Sequence, residues 1–554
     1  MKRFQCITSS LTTNSHQVSL FNSCLVRRQL NTISLPQTSP TPNLETQKIH
    51  AHLFKTGIPL HSSNLTQLVR SYCKLKSFTE AHKLFDEIAP GDLVSCTAII
   101  GALARHGRGE EALCLFKRMH FLCIMPNQFT FGTVIHVCTN LCNLAAGEQL
   151  HGLLMRMGLQ SDVFVGTALL DFYAKLGKIN EAKSAFADIW EPNVVSFTAL
   201  IMGYLKNEMI DDGLEVFRVM PNRNVVSWNA MIAGLSQAGH NEMALNLFVE
   251  MCREGERPNQ STYPCVFRAA ANVAALGIGM HLHAHAVKLL DGFDVFVGNS
   301  LISFYAKCGN VEDGKLVFNQ MQERNIVSWN ALISGYAQNG QGSEGVNLFK
   351  EMCVSGFKPN SVTVLCLLFA CNHGGLIEEG CAYFESVKRE NPQLLGPKHY
   401  ASMVDLLSRS GNFEKANKFL IDLPFDPGIG FWKSLLGGCQ IHSNIDLSNY
   451  AAQRLLDLDP EDVSSYVMLS NVFAVMDQWQ DVSKVRRLMK NKGMKRIPGC
   501  SWIEIRDKVH AFVNGDRRHP EIDEIYRALI ECYLQLKEAG YAPKPLLKFE
   551  CDVE

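Results

Sequence analysis

The strongest constraint on this chain is that it repeats itself. Val225 opens VVSWNAMIAGLSQAG and Ile326 opens IVSWNALISGYAQNG, while Val163 (VFVGTALLDFYAKLG) is matched by Val295 (VFVGNSLISFYAKCG). Units start at 62, 93, 128, 163, 194, 225, 260, 295, 326, 361 and 397, and their lengths are 31, 35, 35, 31, 31, 35, 35, 31, 35, 36 and 32 residues. Unit types recur at one offset, 93 to 225, 128 to 260, 163 to 295 and 194 to 326, which is 132 residues each time. Self-similarity at a period of 20 to 50 residues marks a stacked-repeat architecture.

Each unit has apolar residues at helical spacing, a break near its fifteenth residue, then a small residue and a Phe at fixed offsets. Gly107, Gly177, Gly239, Gly309, Gly340 and Gly411 mark the break; Ala81, Ala112, Ala182, Ala244 and Ala416 leave room for close helix approach; Phe85, Phe116, Phe186, Phe217, Phe248, Phe318 and Phe349 fill the space between helices. The pattern predicts two helices per unit. One such pair cannot bury its apolar face alone, so the expectation is an all-α fold, a right-handed superhelical α-solenoid of helix-turn-helix repeats read as a single array, with a small mixed extension at the carboxyl end.

Composition narrows the function. With 53 basic and 54 acidic residues, bulk electrostatic attraction to nucleic acid is excluded as the main source of affinity. The 19 cysteines include no CxxC pair, which argues against a zinc ribbon or a thioredoxin-type motif and favours packed thiols; no cofactor is expected. No apolar run reaches the length of about 18 residues needed to cross a membrane. Residues 1–44 contain no acid and carry Lys2, Arg3, Arg27 and Arg28 among many Ser and Thr, the composition of a mitochondrial or chloroplast transit peptide and linker; a plain disordered tail is the alternative.

The 35-residue unit, the SWNALI-type first helix and the Pro-Asn ending resemble the pentatricopeptide repeat, and the alternation of 35- and 31-residue units resembles its plant organellar PLS subclass. Eleven units from Ser62 to Gly428 carry the resemblance, about two thirds of the chain, and residues 45–61 are similar to a degenerate partial repeat. The Trp-Leu-Gly-Tyr signature of tetratricopeptide arrays is absent.

The resemblance implies single-stranded RNA as partner, read one base per unit by the fifth and last residues. Those pairs are Thr66 with Asp92, Thr97 with Asn127, Thr167 with Asn193, Thr198 with Asn224, Asn229 with Asn259, Asn299 with Asn325, and Asn330 with Asn360. A carboxylate only accepts hydrogen bonds, which suits the N–H edge of guanine or uracil, whereas an amide both donates and accepts. By family analogy Thr-Asp favours G, Thr-Asn favours A and Asn-Asn favours pyrimidine, which gives 5′-G-A-n-A-A-Y-n-Y-Y. The units at 128 and 260 have Gly132 and Pro264 in the fifth place, and those at 361 and 397 have Leu365 and Ala401, so their bases are not assigned. A competing role for the last residue is helix N-capping, which Asn and Asp favour; both roles can coexist. Lys74, Arg105, Lys175, Lys206, Lys307 and Arg409 recur two residues before the break and suit a phosphate track; cations solvated at a helix C-terminus are the alternative.

After Gly428, residues 429–496 resemble the E1 and E2 motifs of plant editing factors, and residues 497–554 the E+ extension. SWIEIRDKVHAFV predicts a hairpin turning at Arg506 to Lys508, followed by a helix from about Pro520 to Ala539. In longer relatives a DYW-type cytidine deaminase follows, whose zinc site needs His-x-Glu and Cys-x-x-Cys. Here His519-Pro520-Glu521 is followed only by Cys532 and Cys551, so His519 is read as a residue of the family box and not as a metal ligand, and the chain is not expected to be an enzyme. These readings imply a site-recognition factor for organellar C-to-U RNA editing, in the mitochondrion or alternatively the chloroplast, that recruits a DYW-type deaminase in trans. RNA processing, splicing or stabilisation is an alternative, as is a helical scaffold for proteins.

Overall fold

The computed structural model describes Ser71, Tyr72, Ser77 and residues 93–541, except 422, 443, 495–498, 506–507, 514–516 and 518. The transit-peptide segment, the partial repeat at 45–61 and nearly all of the unit at 62, with Thr66, Lys74 and Asp92, lie outside the described residues, as does the tail from 542 with Cys551.

Every repeat from 93 to 397 holds two helices, which form a helical hairpin in each repeat that lies within one compact unit. The first compact unit, residues 1–240, contains α1 Leu93–Arg105, α2 Gly109–Phe121, α3 Gln128–Asn140, α4 Leu144–Met157, α5 Val163–Lys175, α6 Ile179–Ala187, α7 Val194–Lys206, α8 Ile210–Val219 and α9 Val225–Gln237. The second, residues 241–554, contains α10 Asn241–Arg253, α11 Thr262–Asn272, α12 Leu276–Leu289, α13 Val295–Lys307, α14 Val311–Gln320, α15 Ile326–Gln338, α16 Gly342–Val354, α17 Ser361–Gly374, α18 Ile377–Glu390, α19 Pro397–Arg409 and α20 Phe413–Ile421. It continues through α21 Ile429–His442, α22 Ile445–Leu458, α23 Val463–Val475 and α24 Trp479–Asn491 into the antiparallel strands β1 Cys500–Ile505 and β2 Lys508–Val513 and the last helix, α25 Ile522–Glu538. The repeat pattern read a single array; the chain divides into two compact units, and the division falls inside the repeat at 225.

The all-α solenoid is what the chain forms. Within each compact unit, odd-numbered helices pack on the next odd-numbered helix, and even-numbered ones pack against odd-numbered neighbours. Ala112, Ala182, Ala244 and Ala416 are buried, as are Phe116, Phe217, Phe248 and Phe318. Small residues set the approach of successive first helices: a Cβ added to Gly203 would lie 2.7 Å from Ala174 Cβ, and one added to Gly335 would lie 2.8 Å from Ala306 Cβ. A side chain then staples each pair. Asn207 Nδ2 donates to the Gly203 and Ala174 carbonyls at 2.8 and 3.2 Å, and Asn339 Nδ2 to those of Gly335 and Ala306 at 2.8 and 2.9 Å. His442 Nε2 makes the equivalent bond to the Arg409 carbonyl at 2.8 Å.

The break at the fifteenth residue is a left-handed residue in each unit from 93 to 397, whatever side chain stands there: besides the glycines, Cys142, Glu208 and Ala274 have φ of 51, 61 and 48°. Hairpin closure therefore imposes this conformation, and glycine is only its least strained occupant. The alternation of unit length has a local cause. In the 31-residue units α6, α8 and α14 have 9, 10 and 10 residues, against 13 or 14 for α2, α4, α10, α12 and α16. The difference is about one helical turn of 3.6 residues.

Ala274→Gly is expected to raise stability by about 0.5–1 kcal/mol through relief of the left-handed strain, and Gly309→Ala to lower it by about 1 kcal/mol. Urea denaturation followed by circular dichroism reads both, and a neutral Ala274→Gly would contradict the imposed-turn account.

Candidate RNA-reading face

Each last-residue asparagine sits just before a first helix, and its carbonyl oxygen caps that helix. Asn193 Oδ1 accepts from the Val195 and Ser196 N–H groups at 2.9 and 3.0 Å, Asn224 Oδ1 from Val226 and Ser227 at 3.1 Å each, and Asn325 Oδ1 from Val327 and Ser328 at 2.9 and 3.1 Å. Asn127, Asn259 and Asn360 cap in the same way, through Thr130, Thr262 and Thr363. Sequence reasoning weighed capping against base contact as alternatives, and the geometry makes the first a fact. It also limits the second: with Oδ1 occupied by backbone donors, these amides offer chiefly their Nδ2 donors outward.

Three fifth residues are joined to their own last residue. In the unit at 93, Thr97 Oγ1 bonds Thr130 Oγ1 at 2.8 Å and Thr130 donates to Asn127 Oδ1 at 3.0 Å. In the unit at 163, Thr167 bonds Ser196 at 2.7 Å and Ser196 donates to Asn193 Oδ1 at 3.2 Å. The longer side chain at 295 needs no relay, since Asn299 Nδ2 reaches Asn325 Oδ1 directly at 3.5 Å. Thr198 Oγ1 instead returns to the Val194 carbonyl at 2.6 Å. Asn330 is buried, at 6% exposure, and its Oδ1 has no partner among the described residues, as is also true of Asn299 Oδ1. A buried acceptor left without a donor costs about 1–3 kcal/mol. Asn229 and Asn259 fall in different compact units.

The basic row is more heterogeneous than its spacing suggests. Lys175 pairs with Asp171 at 2.7 Å and Arg409 with Asp405 at 2.9 Å, both one turn earlier on the same helix, and Lys307 donates to Asn272 Oδ1 at 3.2 Å. Arg105 and Lys206 are exposed. Half-exposed ion pairs of this kind are worth about 0–1 kcal/mol.

One row escaped the sequence reading. The second residue of most units is a large apolar side chain that stands in solvent: Val94, Phe129, Phe164, Val195, Val226, Phe296, Val327 and Val362 are 51 to 75% exposed. Residues two and five are one turn apart and share a helix face. The signal was an apolar residue in most units just outside the buried stripe, and it is hidden because helical spacing alone assigns it to the core. At the carboxyl end, His519 ties hairpin to helix: its Nε2 lies 2.8 Å from His510 Nδ1, and its Nδ1 accepts from the Glu521 N–H at 3.1 Å. The pairing of Ile505 with Lys508 closes the expected hairpin. No residue of α25 is buried, and Leu529, Ile530 and Leu534 are more than half exposed.

Comparison with known proteins agrees with this architecture. The chain matches the PPR repeat family model over residues 91–140, 223–272 and 324–373, the PPR repeat model over 65–89, 195–225, 299–326 and 398–424, and the E motif model over 442–504. A mitochondrial pentatricopeptide repeat-containing protein of Arabidopsis thaliana is 53% identical over 467 residues, 83% of this chain and 90% of the relative. A second mitochondrial one is 36% identical over 89% of this chain and 72% of its own length; a chloroplastic one, CRR2, is 34% identical over 90% and 72%. Among solved structures, the maize protein PPR10 is similar at 19% identity and a TM-score of 0.41, covering 86% of this chain and 89% of that one. The chain belongs to the pentatricopeptide repeat family of plants and carries its E motif.

Because Asp keeps the capping oxygen while replacing the Nδ2 donors, Asn325→Asp is expected to leave stability within about 0.5 kcal/mol of the native chain, whereas Asn325→Ala loses about 1 kcal/mol. Equal melting losses in the two variants would show that Oδ1 is not the cap.

Proposed function

We propose that this protein binds single-stranded organellar RNA one base per unit and acts as a site-recognition factor for C-to-U editing, with a deaminase supplied in trans. The observation that carries the reading is the alignment, on the first helices, of fifth and last polar residues with an exposed apolar row. The polar pairs present hydrogen-bonding groups to Watson-Crick edges, and the second residues present apolar faces against which unstacked bases lie. The pairs are those named above, Thr66 with Asp92 through Asn330 with Asn360, and the ligand is 5′-G-A-n-A-A-Y-n-Y-Y. Arg105 and Lys206 meet phosphates directly, while Lys175, Lys307 and Arg409 do so after exchanging their internal partners.

Editing, as distinct from processing or stabilisation, is favoured by the E motif and by the uncovered apolar face of α25 with Trp502, Ile503 and Ile505 of the hairpin. Exposed apolar side chains of this kind mark a site of association, and we assign them to the deaminase-bearing partner. The mitochondrion is the favoured compartment, from the acid-free leader and the names of several similar relatives.

Two measurements test this. In a null line, editing is expected to be lost at one or a few organellar cytidines, each about four nucleotides 3′ of the base facing the unit at 397, by the one-base-per-repeat rule; unchanged editing in both organelles refutes the proposal. In the purified chain, Leu529→Asp with Ile530→Asp is expected to leave RNA affinity unchanged but to abolish restoration of editing in that line.

A further inference from the structure

The unit at 128 offers no side chain at its fifth place, yet the structure builds a cavity there. It measures about 590 Å³, lies between α1, α3 and α5, and is lined by Thr97, Ala98, Gly101, Arg105, His136 and Phe164, among others. That volume is within the range of about 300–1,000 Å³ usual for small-ligand sites. Its shape follows from residues that are missing. A Cβ on Gly132 would lie 2.3 Å from Phe164 Cε1, so the phenyl ring of the following unit occupies the place of the absent fifth side chain. Phe164 remains 51% exposed, and the Phe129 ring lies 5.5 Å from it, tilted by 54°. On the opposite wall Gly101 carries no side chain, and Arg105 folds over it, Nη1 lying 3.5 Å from where a Cβ would stand.

The polar rim is selective. Thr133 Oγ1 donates to the Phe129 carbonyl at 2.8 Å and His106 Nδ1 to the Ala102 carbonyl at 2.8 Å, so both are engaged locally. His136 is exposed and has no hydrogen-bond partner among the described residues. A neutral imidazole both donates and accepts, as the edge of a purine does.

We propose that this cavity is a purine subsite: the unit at 128 reads a purine by stacking it on Phe164, bonding its edge to His136 and holding its phosphate with Arg105. The inference rests on the RNA-binding reading above and replaces the first n of 5′-G-A-n-A-A-Y-n-Y-Y by R. A purine is specified because the bare backbone at Gly101 leaves space for a second ring, which a pyrimidine would leave empty. The unit at 260 lacks this set, with Pro264 for Gly132, Arg268 for His136 and Gln237 for Arg105, so the second n stays unread.

The test uses the full chain and fluorescence anisotropy with RNAs that carry a purine, a pyrimidine or an abasic site at the first n. Purine RNA is expected to bind at least about fivefold more tightly than abasic RNA, the lower end for stacking one base on an aromatic ring, with pyrimidine RNA between the two because its ring also stacks, so that the purine advantage over pyrimidine reads the edge contact and the second ring. His136→Ala, on an exposed side chain, and Gly101→Leu, which fills the cavity without backbone overlap, should each cut the purine advantage to below about twofold. Both variants should keep the preference for A opposite Thr198 and Asn224. Equal binding of purine and abasic RNA with that A preference intact overturns the subsite alone; absence of any base preference overturns the RNA-reading function with it. Free AMP or GMP that saturates the cavity while RNA shows no purine preference would make it a nucleotide site and overturn the proposal.

Discussion

The structure depends on the close approach of consecutive first helices, Gly203 on Ala174 and Gly335 on Ala306. A hairpin of two short helices cannot bury its apolar face alone, and its neighbours supply the rest of the core. Where the contact atoms are a missing side chain and a methyl group, the helices come near enough for Asn207 and Asn339 to reach the preceding unit's carbonyls. That bond is directional where apolar packing is not, so it fixes how far one helix can slide along the next. The residues that would touch a base are thus positioned by residues that would not.

The asparagines that end the units are fixed by the helices they cap. Holding Oδ1 on backbone N–H groups locks the side chain into one rotamer before any ligand arrives, which reduces the entropy lost on binding. The relays through Thr130 and Ser196 extend this order to the fifth residue. The arrangement also accounts for a third residue of Ser or Thr in the following helix, which closes a capping box at Asn224, Asn325 and Asn360.

Most of the fold was legible in the sequence, because period, break and burial are encoded locally in each unit. Helix pairs, the hairpin at 500–513 and the final helix stand close to where spacing and alternation put them. The left-handed turn was legible only where glycine marks it; Cys142, Glu208 and Ala274 adopt it under the demand of closure, which composition does not announce. The site was half legible. Identities at the fifth and last places could be read off, but not the direction of each amide, because capping decides that in three dimensions. The exposed second-position row and the cavity beside Gly132 were invisible for a related reason: both depend on what a neighbouring unit leaves uncovered.

The turn that separates 31- from 35-residue units lies wholly in the second helices. The first helices keep 13 residues in α1, α3, α5, α7, α9, α13 and α15, in units of both lengths, while α11 has 11 and α17 has 14. Insertions and deletions of about four residues, one helical turn, can therefore accumulate on one side of the array without shifting the reading frame on the other. Such a chain can change length during evolution while every unit keeps its register.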